Sequence, residues 1–288
     1  MLGEKALLVR LSVKHPSFAK TDKAVSLEVA TSKNANKKAV KVIKTTIDTT
    51  HQSYKAVKTA RGALYNTFAS ETAPWDEGGW RIIKAVGYDR FSEVIRTERD
   101  AFDIAKEDFK KVYPELVSQA PDRLGDMYDA SLFPSVDDLD DLFYCDIEAR
   151  PVPEAGDFRV AMSAEDKQKI ATQIQHKNDQ RVKEVTTDLF DRTYDVVSNM
   201  VQRLEAFDPD KKGAKLYGSL VDNVRDIAEL LPSLNVGEDP RLEQLAKEIG
   251  LRLTEADTAT LKKDEGKRKQ VTDHAREIMN QIDDFISQ

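Results

Sequence analysis

Residues 31–46 read TSKNANKKAVKVIKTT, with lysines at 33, 37, 38, 41 and 44. The fold turns on this stretch, because the residues before it alternate and those after it repeat at helical spacing. From about Asn34 to Phe68 the apolar residues fall at Val40, Ile43, Ile47, Tyr54, Val57, Leu64 and Phe68. That spacing predicts one long helix. At about 100° per residue, Lys33, Lys37, Lys41, Lys44 and Lys55 lie within a narrow arc, with most of the apolar positions opposite. The expectation is a helix packed by one side and studded with lysine on the other.

Upstream, ALLVRLSV (6–13) alternates around Leu7, Val9, Leu11 and Val13, and AVSLEVA (24–30) alternates at Val25, Leu27 and Val29. The turn formers of HPSFAKTD lie between them, so the reading is two half-buried strands joined by a loop. Downstream, SETAPWDEGGW (70–80) is a break that holds both tryptophans. A helical pattern resumes through Ile82, Ile83 and Val86 and continues from Phe91 to Val117, with Pro114 near its end. Ser135 and Asp138 form a capping-box pattern ahead of a short helix. FYCDIEA (143–149) then reads as a third strand and DFRV (157–160) as a fourth.

After Met162 the sequence is helical throughout. Ser163 and Asp166 mark another capping box, and Ile170, Ile174, Val182, Val185, Leu189, Val196 and Leu204 trace a helix of unusual length. Helices follow at about 214–231, 240–250 and 255–286, the last weakened by Gly266. The fold class is α+β and predominantly α-helical: a small antiparallel sheet packed by long helices, and a helical C-terminal half. The expected domains are 1–162 and 163–288.

The formal net charge of −7 hides a split. Residues 1–66 hold thirteen Lys and Arg against four Asp and Glu, a balance of +9, which leaves −16 for the remainder. Such an asymmetry points to a basic end that faces a partner and an acidic end that keeps the chain in solution. A single cysteine, Cys145, excludes an intramolecular disulfide and points to the cytoplasm. No stretch approaches the roughly 18 apolar residues of a membrane span.

Motifs for chemistry are incomplete. GAKLYGS (213–219) lacks phosphate-loop spacing. DPDKKGAKLYGS (208–219) opens like a calcium loop, but carries Lys212 at the fifth position and Ser219 at the twelfth. The histidines at 15, 51, 176 and 274 do not pair at metal-ligand spacing. The acidic run Asp137, Asp138, Asp140, Asp141, Asp146 and Glu148 suits a metal-dependent nuclease only if several carboxylates converge. No catalytic residue, metal ligand or cofactor is assigned.

The remaining feature is the lysine arc together with WDEGGWRIIKAVGYDRF (75–91), where aromatics alternate with cations. Lysines follow a phosphate backbone and aromatics stack on unpaired bases. The leading expectation is a non-enzymatic DNA-transaction protein that binds single-stranded nucleic acid and assembles into a homo-oligomer through its long helices. Its contacts would be Lys33, Lys37, Lys41, Lys44 and Lys55, with Arg81 and Lys84 as further cations and Trp80 and Tyr88 as stacking rings. The alternatives are an adaptor for an AAA ATPase or a structural virion component, then a nuclease.

LLVRLSVK, SKNANK, ARGALYNTF and FSEVIRTERDAFDIAKEDFKKVYPELV also carry a resemblance. The first 160 residues or so resemble an uncharacterised family of phage- and plasmid-encoded proteins known as a domain of unknown function. Its members are often encoded near a MoxR-type AAA ATPase and a von Willebrand A-domain protein. The resemblance implies a mobile-element origin and an ATPase partner, and it implies no activity and no catalytic residues.

Overall fold

In the computed structural model, which describes residues 2–154, 156, 163–211 and 215–287, the stretch 31–46 ends one helix and begins a strand. A single turn, α1 (Leu2–Lys5), leads into β1 (Ala6–Lys14), followed by β2 (Ala19–Asp22), α2 (Lys23–Ser32) and β3 (Val42–Thr45). The anticipated strand at 24–30 is therefore a helix. Asp22 caps it, its carboxylate accepting the Val25 amide at 3.1 Å. The alternation was misleading because Leu27 is an outlier: it is 44% exposed, while Ser26 and Ala30 face inward.

The anticipated helix over 34–68 begins only at Gln52. Asn34, at φ 51°, takes the left-handed conformation that ends α2. The Ala35 amide donates to Ala30 O at 2.8 Å and the Asn34 amide to Thr31 O at 3.1 Å, the paired bonds of a Schellman cap. Asn36 then holds a turn by accepting the Lys38 amide at 2.9 Å. β3 runs antiparallel to β2, with Lys44 opposite Lys20 and Ile43 opposite Thr21.

The chain continues through α3 (Gln52–Ser70), β4 (Ala73–Pro74), β5 (Arg81–Lys84) and α4 (Tyr88–Ser118). Ile82 and Ile83 thus lie in a strand, not a helix. α4 keeps its course through Pro114. Two short helices, α5 (Ala120–Leu124) and α6 (Leu139–Leu142), precede β6 (Tyr144–Pro151). The expected fourth strand at 157–160 lies outside the described residues, as do Lys212 and Gly213 of the calcium-loop pattern. The 42-residue α7 (Ala164–Glu205) opens at Ser163, which accepts the Asp166 amide at 3.1 Å as its capping box requires. α8 (Ser219–Leu234) and α9 (Pro240–Arg252) follow. The single helix expected at 255–286 is two, α10 (Thr258–Lys263) and α11 (Glu265–Ile286), because Asp264 caps the second by accepting the Lys267 amide.

The protein is accordingly α+β and mainly helical, with a four-stranded antiparallel sheet in the order β4-β5-β1-β6 and the β2–β3 pair apart from it. Leu8 of β1 stands opposite Ile82 of β5. Among the described residues no helix is long and apolar enough to cross a membrane.

Contacts divide the chain into two compact units, each discontinuous in sequence. The first comprises Met1–Arg10, Ala69–Phe91 and Glu148–Gln288, so the anticipated boundary at 162/163 falls inside it. Its core joins Leu8, Ile82 and Trp75 to the facing sides of α7, α8, α9 and α11, through Leu189, Val197, Leu231, Leu242, Ile249 and Ile278. The apolar faces of α8, α9 and α11, and that of α7 from Val182 onward, are thereby covered within one chain. The second unit comprises Leu11–Phe68 and Ser92–Ile147. Its centre is aromatic: Phe18, Tyr54, Phe109 and Tyr113 meet at centroid distances of 5.7–5.8 Å, and Phe143 lies 5.7 Å from Phe109.

Candidate polyanion-binding surface

In the second unit, residues 11–68 hold eleven Lys and Arg against Asp22, Glu28 and Asp48. Their placement differs from a helix face. Lys33, Lys37, Lys38 and Lys41 all sit on the exposed turn between α2 and β3, which the Asn34 cap and the Asn36 turn hold outward. Lys55 is exposed on α3. Lys44 does not belong with them. Its ammonium is inside, 2.9 Å from the Asp22 carboxylate and 2.5 Å from Met127 O, with only 9% of the side chain exposed. The Lys44 hydrogen bond, then the Val25 amide, holds the Asp22 carboxyl below its ordinary range. Lys44 fastens β3 in place and is not available to a ligand.

In addition to the exposed lysines, α3 carries a stripe absent from the expected set. Tyr54, Lys58, Arg61 and Tyr65 recur at i, i+4, i+7 and i+11, which is one face of a helix. The Arg61 guanidinium lies 5.0 Å over the Tyr65 ring, and Tyr65 is 40% exposed. The signal was present in the sequence as an aromatic–cation–cation–aromatic row. It was hidden by phasing the helix from Asn34.

Trp80, Arg81, Lys84 and Tyr88 belong to the first unit. WDEGGW is the hairpin turn between β4 and β5: the Trp75 amide donates to Trp80 O at 3.0 Å, and Gly79 supplies the φ of 82° that the turn needs. Trp80 is buried, with the Arg150 guanidinium 3.7 Å and that of Arg10 4.7 Å from its ring. Buried and in contact with two guanidiniums, it offers no platform for a base. Arg81 donates to Thr72 Oγ1 at 2.6 Å and to the carbonyls of Thr72 and Ala69 at 2.7 and 2.9 Å. Burial, reinforced by the neighbouring charge of Arg192, pushes its pKa down to about 10. It is a structural arginine. Lys84 is half-buried opposite Ala6, and Tyr88 packs 6.0 Å from Phe91.

The acidic run is dispersed among local partners. Asp138 accepts from Ser135 Oγ at 2.7 Å, Asp140 binds Lys110 at 2.8 Å, and Asp146 accepts the Tyr144 hydroxyl at 3.2 Å. Glu148, in the other unit, binds Arg10 at 2.7 Å. Among the described residues no group of three or more His, Cys, Asp and Glu is placed to hold a metal ion. Burial raises the Cys145 thiol pKa, which disfavours the reactive thiolate.

No family model, curated protein or solved structure matches the chain. The roles of these residues therefore rest on their own geometry.

Proposed function

We propose that the protein is a non-enzymatic nucleic-acid-binding protein that holds the phosphate backbone with the lysine-rich part of its second unit. One observation carries this reading. Of the eleven cations in residues 11–68, only Lys44 has an ion pair among the described residues, while those of the turn at 33–41 stand in solvent. A high local density of uncompensated cations is what a phosphate backbone with its counterion atmosphere selects. Contacts of this type position a strand without reading its sequence. Single strands are favoured because Tyr65 shows a ring to solvent beside Lys58 and Arg61, and an unpaired base can stack there.

The test is fluorescence anisotropy of labelled single-stranded and duplex oligonucleotides across a salt series. Binding should weaken steeply with salt and be tighter for the single strand. Replacing Lys37, Lys38 and Lys41 by Glu should weaken it at least about tenfold and reduce the logarithmic salt slope by about 2, from about 0.7 per lost contact on a single strand. Absence of binding at low salt overturns the reading. The lysine turn then becomes a docking face for an acidic protein surface.

A further inference from the structure

His15, in the loop after β1, lies against the α3 stripe. Its ring stacks on Tyr54 with centroids 6.0 Å apart and 27° between planes. Tyr54 is buried, and its hydroxyl donates to Pro16 O at 2.9 Å, which holds the loop on the helix. Lys58 and Arg61 follow Tyr54 on the same face, one and two turns along. Three basic groups thus gather on one patch, and among the described residues none of them has an ion pair. Like charges three residues apart on a helix repel, and an anion seated between them relieves that repulsion.

We propose that His15, Lys58 and Arg61 grip one phosphate of a bound nucleic-acid strand, and that His15 takes up a proton as the phosphate arrives. The inference rests on the reading that the protein binds nucleic acid, and it adds a pH dependence to that site.

The sign follows from the surroundings of the ring. In the free protein, burial, then Arg61, then Lys58 hold the imidazole below its ordinary value of 6.5. These two cations of α3 are the charges facing it. Tyr54 beneath it stays neutral, since burial raises its phenol pKa, and the neighbouring Lys14 ammonium is directed over Tyr144 at 5.9 Å. A phosphodiester brings a negative charge and an acceptor for the imidazolium, so the His15 pKa rises in the complex. Affinity is then lowest at pH values above the bound pKa, increases as pH falls through it, and levels off below the free pKa. Uptake of one proton sets the limiting slope at about tenfold per pH unit.

The experiment measures anisotropy of a labelled single-stranded oligonucleotide on the full chain, at constant ionic strength, from about pH 8 to about pH 5. The wild type should gain affinity as pH falls, and His15→Gln should lose that slope. In parallel, proton NMR follows the His15 ring, assigned by its absence from the His15→Gln spectrum, with and without oligonucleotide. Its pKa should rise on binding. Binding without pH dependence, or a His15 pKa that stays put, overturns this proposal and leaves the nucleic-acid reading intact. Failure to bind at any pH removes both. An equal rise with inorganic phosphate at matched phosphate concentration, and none with oligonucleotide, assigns the patch to free anions and likewise overturns it.

Discussion

Trp80 and Tyr65 are two aromatics beside arginines, and their surroundings give them opposite roles. Trp80 is 8% exposed between Arg10 and Arg150, whereas Tyr65 is 40% exposed and shares a helix face with Lys58. Removing the first leaves a cavity under two guanidiniums. Removing the second leaves only more solvent. Trp80→Ala should therefore cost about 3–5 kcal/mol of stability in urea unfolding, as for other buried Trp truncations, and should leave oligonucleotide affinity unchanged while the chain is folded. Tyr65→Ala should cost little stability but weaken single-strand binding by about 1–3 kcal/mol, the worth of one stacked base. The reverse pattern would return Trp80 to the binding surface. Local sequence cannot separate these two residues, because what covers Trp80 comes from β1 and β6, some 70 residues to either side.

Among the elements, the left-handed Asn34 ends α2 and separates it from β3. A β-branched residue there cannot adopt φ 51° without strain, so Asn34→Val should destabilise the second unit by about 1–2 kcal/mol. Asn34→Gly should be neutral to within a few tenths, since glycine is the commonest residue at that cap position. Equal losses for both would mean that the side-chain amide, not the backbone conformation, is what matters. What could be read from the sequence at this scale was what local chemistry determines: β1 by its alternation, α4 by its period, and α7 by its length and the Ser163 box. The β2–β3 pair and α2 were not legible. Val40, Ile43 and Ile47 match a helical period by coincidence, yet Ile43 is 58% exposed on a strand and Ile47 is fully buried in a loop. The informative signals were the Asp22 cap, the Asn34–Asn36 pair and the β-branched run at 42–47, each of which favours a break or a strand.

At the level of the whole molecule, the chain crosses between its two cores at 10/11, 68/69, 91/92 and 147/148. A linear search for a linker finds none of these crossings, since β1, α3, α4 and β6 run through all four of them. The division also redistributes the charge. Residues 11–68 carry +8 and 92–147 carry −9, so the second unit is nearly neutral, at −1, and the first unit holds the other −6. On the proposed reading a polyanion is held by the lysine turn and not by the chain as a whole, because exposed charges are screened beyond about 10 Å at 0.1 M salt and the net charge of the chain is not felt locally. Lysine acetylation read by mass spectrometry tests this directly. With saturating single-stranded oligonucleotide, Lys33, Lys37, Lys38, Lys41 and Lys58 should be protected severalfold. Lys262, Lys263 and Lys269, equally exposed on α10 and α11, should react as before. Uniform protection would mean that lysines bind wherever they occur. Protection confined to the first unit would move the site away from the turn at 33–41, and a charge excess in sequence would then have pointed to the wrong surface.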